Sequence, residues 1–288
     1  MERFYEFAGV GIAIRIPDTV MYKEDASLSP FRVEEIPAPH CFDFSLVETL
    51  PAPLGICIAA QPAFVEFREG EMTVRYIGTV QKGWEDAYIR VAHWGKEHRV
   101  LLKSSSYPNC VGSKTVLNIM WAEHLIVQTG GVIFHASYIE ADGKAILFTA
   151  PSGTGKSTQA YLWQKYRDAG IINGDRCAIR VTEGGIVASG IPFAGSSNIC
   201  LNKTLPLAAV VYLKQAPQNH IRRLAGTEAF CRIWEGCSVN VWDKADVAAV
   251  SATVQQVISA VPVFELACTP DEMAVKTLEE TCKQEGIL

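Results

Sequence analysis

One short segment carries the densest chemistry in the 288-residue chain, Ala150-Pro151-Ser152-Gly153-Thr154-Gly155-Lys156-Ser157. It follows the P-loop (Walker A) spacing G-x-x-x-x-G-K-[ST], with alanine in place of the first glycine. Cradling phosphate requires backbone N–H groups that turn inward, so residues of permissive dihedral, Gly153 and Gly155, stand where a side chain would obstruct approach. In such a loop Lys156 would reach the β- and γ-phosphates as a point charge, and the Ser157 hydroxyl would ligate Mg²⁺. Ser152, Thr154 and Thr158 complete the candidate nucleotide-binding set. The helix expected over Ser157 to Tyr166 opens with free N–H groups aimed at the anion. Further on, Gly170-Ile171-Ile172-Asn173 reads as a short buried strand ending in Gly174-Asp175-Arg176. An aspartate at such a strand end can hold Mg²⁺ directly or through water, or take the proton of an attacking hydroxyl. The competing reading is a turn aspartate, since Gly-Asp is common turn vocabulary.

The elements that must position these groups can be read around them. Val132 to Ile139, a turn at Glu140-Ala141-Asp142-Gly143, and Lys144 to Thr149 predict an antiparallel hairpin whose second strand leads into the loop. Arg176 to Val181, a turn at Glu183-Gly184-Gly185, and Ile186 to Ala188 predict a second. Two hairpins bracketing the loop imply a mixed sheet rather than a largely parallel one. Before them, Ser113 is the expected N-cap of one amphipathic helix running to Gly130-Gly131, with His124 at its core edge. After them come an apolar strand over Leu207 to Leu213, helices over Glu228 to Trp234 and Ala245 to Ile258, and a strand over Val261 to Leu266. Thr269-Pro270-Asp271-Glu272 reads as a capping box opening a last helix. Arg222 and Arg223 are open to phosphate or to simple solvation of an edge. Up to Gly112 the chain is a series of short β-like runs (Gly9 to Ile16, Phe64 to Phe67, Met72 to Ile77, Tyr88 to His93) with no chemical motif. There Glu66, Glu69 and Glu71 read as a solvated hairpin face around Gly70, and His93 and His98 as a surface loop around Trp94-Gly95.

Composition narrows the function classes. With Lys+Arg 26 against Asp+Glu 31, the net charge of -5 offers no basic field for nucleic acid. A hydrophobic content of 49% supports a sizeable core. No apolar run is long enough for a bilayer and the N-terminus lacks a signal-peptide layout, so a cytoplasmic protein with no membrane partner is expected. Cysteine occurs 9 times with no C-x-x-C pair, which fits reduced thiols.

His135-Ala136-Ser137, Pro151 to Thr158, Asn173-Gly174-Asp175-Arg176 and the loop Gly190-Ile191-Pro192-Phe193-Ala194-Gly195 follow in order at short spacing. In this the stretch resembles the HPr kinase/phosphorylase superfamily of P-loop kinases, related to phosphoenolpyruvate carboxykinase. It looks closest to the HPr-kinase-like proteins of biosynthetic gene clusters. The resemblance covers 113–288 and implies an α/β (α+β) fold with a mixed β-sheet P-loop core, preceded by a β-rich N-terminal domain over 1–112. It implies an ATP-dependent, Mg²⁺-requiring kinase acting on a hydroxyl of a small molecule, a peptide or a protein serine. Asp175, His135 and Lys156 would be catalytic, with His135 near the transferred phosphate, and Ser157 and Asp175 would hold the metal. Two departures stand out. The family's paired carboxylates are reduced to Gly174-Asp175, and the glycine-rich segment supporting phosphorylase activity has no match. The first opens an alternative, a nucleotide-binding regulatory or scaffold protein without phosphoryl transfer. The first 112 residues could serve as a lid, a partner-docking module or a homo-oligomer surface.

Overall fold

The computed structural model describes residues 1–78, 83–107 and 110–288. By its internal contacts the chain divides into two units, Met1–Ala122 and Glu123–Leu288.

The first unit holds β1 (Glu2–Phe7), β2 (Val10–Arg15), β3 (Met21–Lys23), β4 (Arg32–Val33), β5 (His40–Val47), β6 (Ile56–Gln61), β7 (Phe64–Glu69), β8 (Met72–Ile77), β9 (Ile89–Trp94), β10 (Glu97–Lys103) and β11 (Cys110–Gly112). Nine of these form one sheet in the order β4-β1-β2-β5-β10-β9-β8-β7-β6, and β11 pairs with β3. The turn at Gly70 sets Glu66 directly opposite Arg75. Both are buried, and Arg75 donates from Nε and Nη2 to one Glu66 oxygen at 3.0 and 2.8 Å. Its guanidinium also lies over the rings of Phe64 and Trp121. Glu69 likewise accepts from Arg90 at 3.2 Å. The expected solvated carboxylate face is therefore corrected: only Glu71 is exposed, because β8 is covered along nearly its whole length. Glu66→Ala should lower unfolding free energy by about 3–5 kcal/mol in urea titration, since it strands a buried guanidinium. The double change Glu66→Leu with Arg75→Met should cost much less.

Two further expectations change here. His93 and His98 are not in a surface loop. They face each other across the β9–β10 hairpin, buried, with Nδ1 atoms 3.0 Å apart, and His40 Nδ1 lies 3.0 Å from His98 Nε2. The single helix expected from Ser113 is two, α1 (Ser113–Ile119) and α2 (Ala122–Gln128), because Trp121 adopts a φ of 51° and packs its ring against His93. Ser113 is inside α1 rather than its cap, and its hydroxyl accepts the Asp25 N–H at 2.9 Å.

The second unit contains β12 (Gly131–His135), β13 (Ser137–Ala141), β14 (Lys144–Thr149), α3 (Lys156–Arg167), β15 (Gly170–Asn173), β16 (Arg176–Thr182), β17 (Gly185–Gly190), β18 (Thr204–Gln215), β19 (His220–Leu224), α4 (Gly226–Trp234), β20 (Cys237–Ser238), α5 (Lys244–Ala260), β21 (Val263–Cys268) and α6 (Glu272–Gln284). It is a mixed α/β unit. The sheet path runs β15-β13-β14-β18-β17-β16-β12-β20, with β21 joined to the far half of β18 and β19 to β21. Parallel pairing links β14 to β18 and β18 to β21, while both expected hairpins are antiparallel.

Each face of this sheet has its own core. Ala145 and Leu147 pack with Ile233 of α4 and Val250, Val254 and Val257 of α5, whereas Ile146 and Phe148 pack with Trp163 of α3 and Leu278 of α6. Burial on both faces is why β14 reads as a continuous apolar run. The run Val132 to Ile139 is not one strand. It breaks at Ala136, so β12 pairs with β16 and β20 while β13 pairs with β14 and β15. The Thr149 hydroxyl donates to the His135 carbonyl at 3.0 Å, which satisfies backbone at the break. The last helix is capped by Asp271 rather than Thr269: Asp271 Oδ1 accepts from Ala274 N–H and its Oδ2 from the Thr269 hydroxyl. Among the described residues no helix is long and apolar enough to cross a membrane.

Candidate functional site

The loop after β14 turns on two glycines of positive φ, Gly153 at 78° and Gly155 at 117°. A Cβ at Gly153 would touch nothing within 4 Å. Backbone conformation rather than crowding therefore demands glycine, and space remains above the loop for an occupant. Gly155 precedes α3 with no side chain capping the helix, so its first amides keep their donors free. Lys156 is buried and its Nζ donates to the Ala150 carbonyl at 3.0 Å, folded back over the loop. Burial pulls its ammonium below the usual lysine range, and the charge of Asp175 works against that pull. Ser152, Ser157 and Thr158 are exposed and Thr154 is half-buried around the same turn.

Asp175 stands at the end of β15, where Asn173 organises the turn. Asn173 is fully buried, its Oδ1 accepts from the N–H groups of Asp175 and Arg176 at 2.9 and 3.0 Å, and its Nδ2 donates to the Ile191 carbonyl. The Ser137 hydroxyl donates to the Gly174 carbonyl at 3.1 Å. The carboxylate takes His135 Nε2 at 3.2 Å on Oδ1 and lies 3.5 Å from Arg176 Nε through Oδ2. Burial, then the positive charges of Lys156 and Arg176, push the His135 imidazole below its ordinary 6.5, and Asp175 only partly offsets them. With the ring biased toward its neutral form, its Nε2–H donates to the carboxylate, which can only accept. Lys156, His135 and Asp175 thus form one electrostatic cluster, and in this arrangement His135 Nε2 is engaged by Asp175.

Two glycines hold this carboxylate in place. A Cβ at Gly195, whose φ is 55°, would lie 2.6 Å from both Cβ and Cγ of Asp175. A Cβ at Gly174 would run into the Ser197 side chain at Oγ. Ser197 is fixed there by donating to the Ala194 carbonyl at 2.7 Å and accepting from Ile199 N–H. Position 174 accordingly has no room for a second carboxylate. The organising roles of Asn173, Gly195 and Ser197 are not apparent from spacing alone. The one local hint is an asparagine two residues before the aspartate, the signature of an Asx turn.

Beside the loop lies a cleft of about 590 Å³, bounded by Gly153 to Gly155, the first turn of α3 and the ends of β18 and β21. Other candidates fall away from it. Arg222 is paired with Glu228 and Glu265, and Arg223 with Glu285, so both serve the surface. His124 Nδ1 sits 2.9 and 3.1 Å from the two oxygens of buried Asp246. Burial tends to raise the Asp246 carboxyl, but hydrogen bonds from His124 and Asn240 outweigh it and hold it low. Asp243 beside it is the N-cap of α5. That group is a buttress between α2 and α5.

The profile of the family described as SynChlorMet cassette protein ScmC matches residues 110–270. Comparison with curated proteins finds no match. Among solved structures, the chain is similar to the Hpr(Ser) kinase/phosphatase from Coxiella burnetii at a TM-score of 0.34 and 11% identity, covering 53% of this chain and 97% of that one.

Proposed function

The chain belongs to the family of the SynChlorMet cassette protein ScmC, and we propose that it is an ATP-dependent, Mg²⁺-requiring kinase that transfers the γ-phosphoryl group to a hydroxyl. The observation that carries this reading is the meeting of a glycine loop and an uncapped helix start, both suited to polyphosphate, with Lys156 beside a carboxylate–imidazole pair. The activity is assigned to the P-loop domain, 113–288, with 1–112 outside it.

In this reading the amides of Gly153 to Lys156 and the side chains of Ser152, Thr154 and Thr158 hold the phosphates. Lys156 leaves the Ala150 carbonyl for the β- and γ-oxygens. Ser157 and Asp175 would hold Mg²⁺, which would neutralise charge on the transferred group. Asp175 accepts the proton of the acceptor hydroxyl as its oxygen attacks phosphorus and the bond to the β-phosphate oxygen breaks. His135 keeps that carboxylate oriented through Nε2–H and lies near the transferred group. Positioning and charge neutralisation supply most of the acceleration. The acceptor class is a hydroxylated small molecule, a peptide or a protein serine.

The test is γ-labelled ATP incubated with hydroxylated amino acids, sugars and lysate peptides, alongside calorimetric titration with MgATP. Labelled product should form, and Lys156→Ala should abolish it while weakening ATP binding at least about tenfold. Turnover by Lys156→Ala at the parent rate would sink the proposal. A specific observation favours a second reading, nucleotide binding without transfer: Ser197 closes position 174 to a second carboxylate. ATP binding with no labelled product in any pool would select that one.

A further inference from the structure

We propose that the cleft beside the loop seats an adenine base and that Gln159 reads its amino group. This rests on the nucleotide reading above and adds a specificity to it. Strands β14, β18 and β21 run parallel, so their carboxyl ends, at Thr149, Gln215 and Cys268, open along one edge of the sheet. Ligands of parallel α/β sheets bind at that edge. The glycine loop leaves the first of these ends, and the cleft of about 590 Å³ is walled by the other two, a volume suited to a small organic ligand. A nucleotide whose phosphates lie on the loop has this cleft as the adjoining space for its base.

The walls are mixed: Leu213, Ala216 and Pro270 can cover a flat ring, and Thr154, Thr158, Gln159, Gln215 and Thr269 add polar groups. Among these polar groups Gln159 differs in being buried with an unpaired oxygen. It lines the cleft yet is only 2% exposed, its Nε2 donates to Cys268 Sγ at 3.3 Å, and its Oε1 is buried with no hydrogen-bond partner among the described residues. Leaving a buried amide oxygen unpaired is costly, and one beside an open cleft points to a donor that arrives with a ligand. The terminal torsion of glutamine is soft, so a small rotation of the amide turns Oε1 toward that donor. In the orientation found, Nε2 faces the Cys268 sulfur and Oε1 is the amide atom left to accept. Adenine brings an exocyclic amino donor to such a group. Guanine, with a carbonyl at the same ring position, would set acceptor against acceptor.

The test is calorimetry of the full chain with MgATP, MgGTP and inorganic tripolyphosphate. ATP should bind about tenfold more tightly than GTP, a difference expected of one hydrogen bond in a dry site. Gln159→Leu, which keeps the bulk and deletes the acceptor, should weaken ATP by about the same factor, close the gap to GTP and leave tripolyphosphate affinity unchanged. Equal affinity of the parent protein for ATP and GTP overturns the proposal whether or not the variant folds. So does a variant that folds, as judged by its tripolyphosphate binding, and still prefers ATP. If the parent protein binds neither ATP nor tripolyphosphate, the nucleotide reading fails as well. Binding of tripolyphosphate without base discrimination leaves that reading standing and removes this inference alone.

Discussion

Asp175→Asn should slow phosphoryl transfer by about 10²–10⁴-fold, the usual worth of a positioned general base, while ATP affinity changes by less than about tenfold. The substitution is nearly isosteric. Asn173 can still accept from both turn amides, and the His135 Nε2–H can still donate to the remaining carbonyl oxygen. What disappears is the negative charge that, in the proposed kinase, would take the hydroxyl proton and help hold Mg²⁺. Because Asp175 also raises the proton affinity of Lys156, the variant lysine should lose its proton somewhat more readily. Single-turnover transfer from γ-labelled ATP measures the rate, and calorimetry measures the affinity. Equal losses in both would make Asp175 a structural residue of the turn and remove it from the chemistry.

The parts of this site that can be read along the chain are those whose cause is local. Gly153, Gly155 and Lys156 declare themselves because a tight turn into a helix start needs those residue types at adjoining positions. The Asp142-Gly143 turn likewise announces the β13–β14 hairpin, since only such residues tolerate its backbone; both have positive φ. Other features are set across space. Nothing punctuates Val132 to Ile139, so its break at Ala136 is visible only once β12 and β13 find different partners. Glu66 and Arg75 look like surface charges until the hairpin register places them face to face under cover. Thr269 and Asp271 both satisfy capping rules, and only the helix start at Glu272 decides between them. The deepest case is Asp175 itself. Its motif is visible, and Asn173 two residues before it hints at the turn, but Ser197 and Gly195 act on it through hydrogen bonds and close approach that no spacing encodes.

That dependence on close approach yields the second large effect, at Gly195→Ala, where transfer should fall about 10²-fold with ATP affinity nearly unchanged. A methyl group there would sit 2.6 Å from Cβ and Cγ of Asp175, well inside contact distance, on a backbone of φ 55° that alanine adopts only with strain. Rotating the Asp175 side chain gives no relief, because Cβ itself is one of the atoms struck. The Asp175 backbone has little freedom either, with its N–H and that of Arg176 both held by buried Asn173 Oδ1. The carboxylate must therefore be displaced from its present position, and a displacement of the order of an ångström is enough to misalign a proton acceptor. The glycine loop and Lys156 lie outside this contact, which is why binding should survive. A double-mutant cycle separates this account from general damage. In the Asp175→Asn background Gly195→Ala should cost little further rate, since the group it displaces has already lost its function. Full additivity of the two losses would show that Gly195 acts through something other than Asp175.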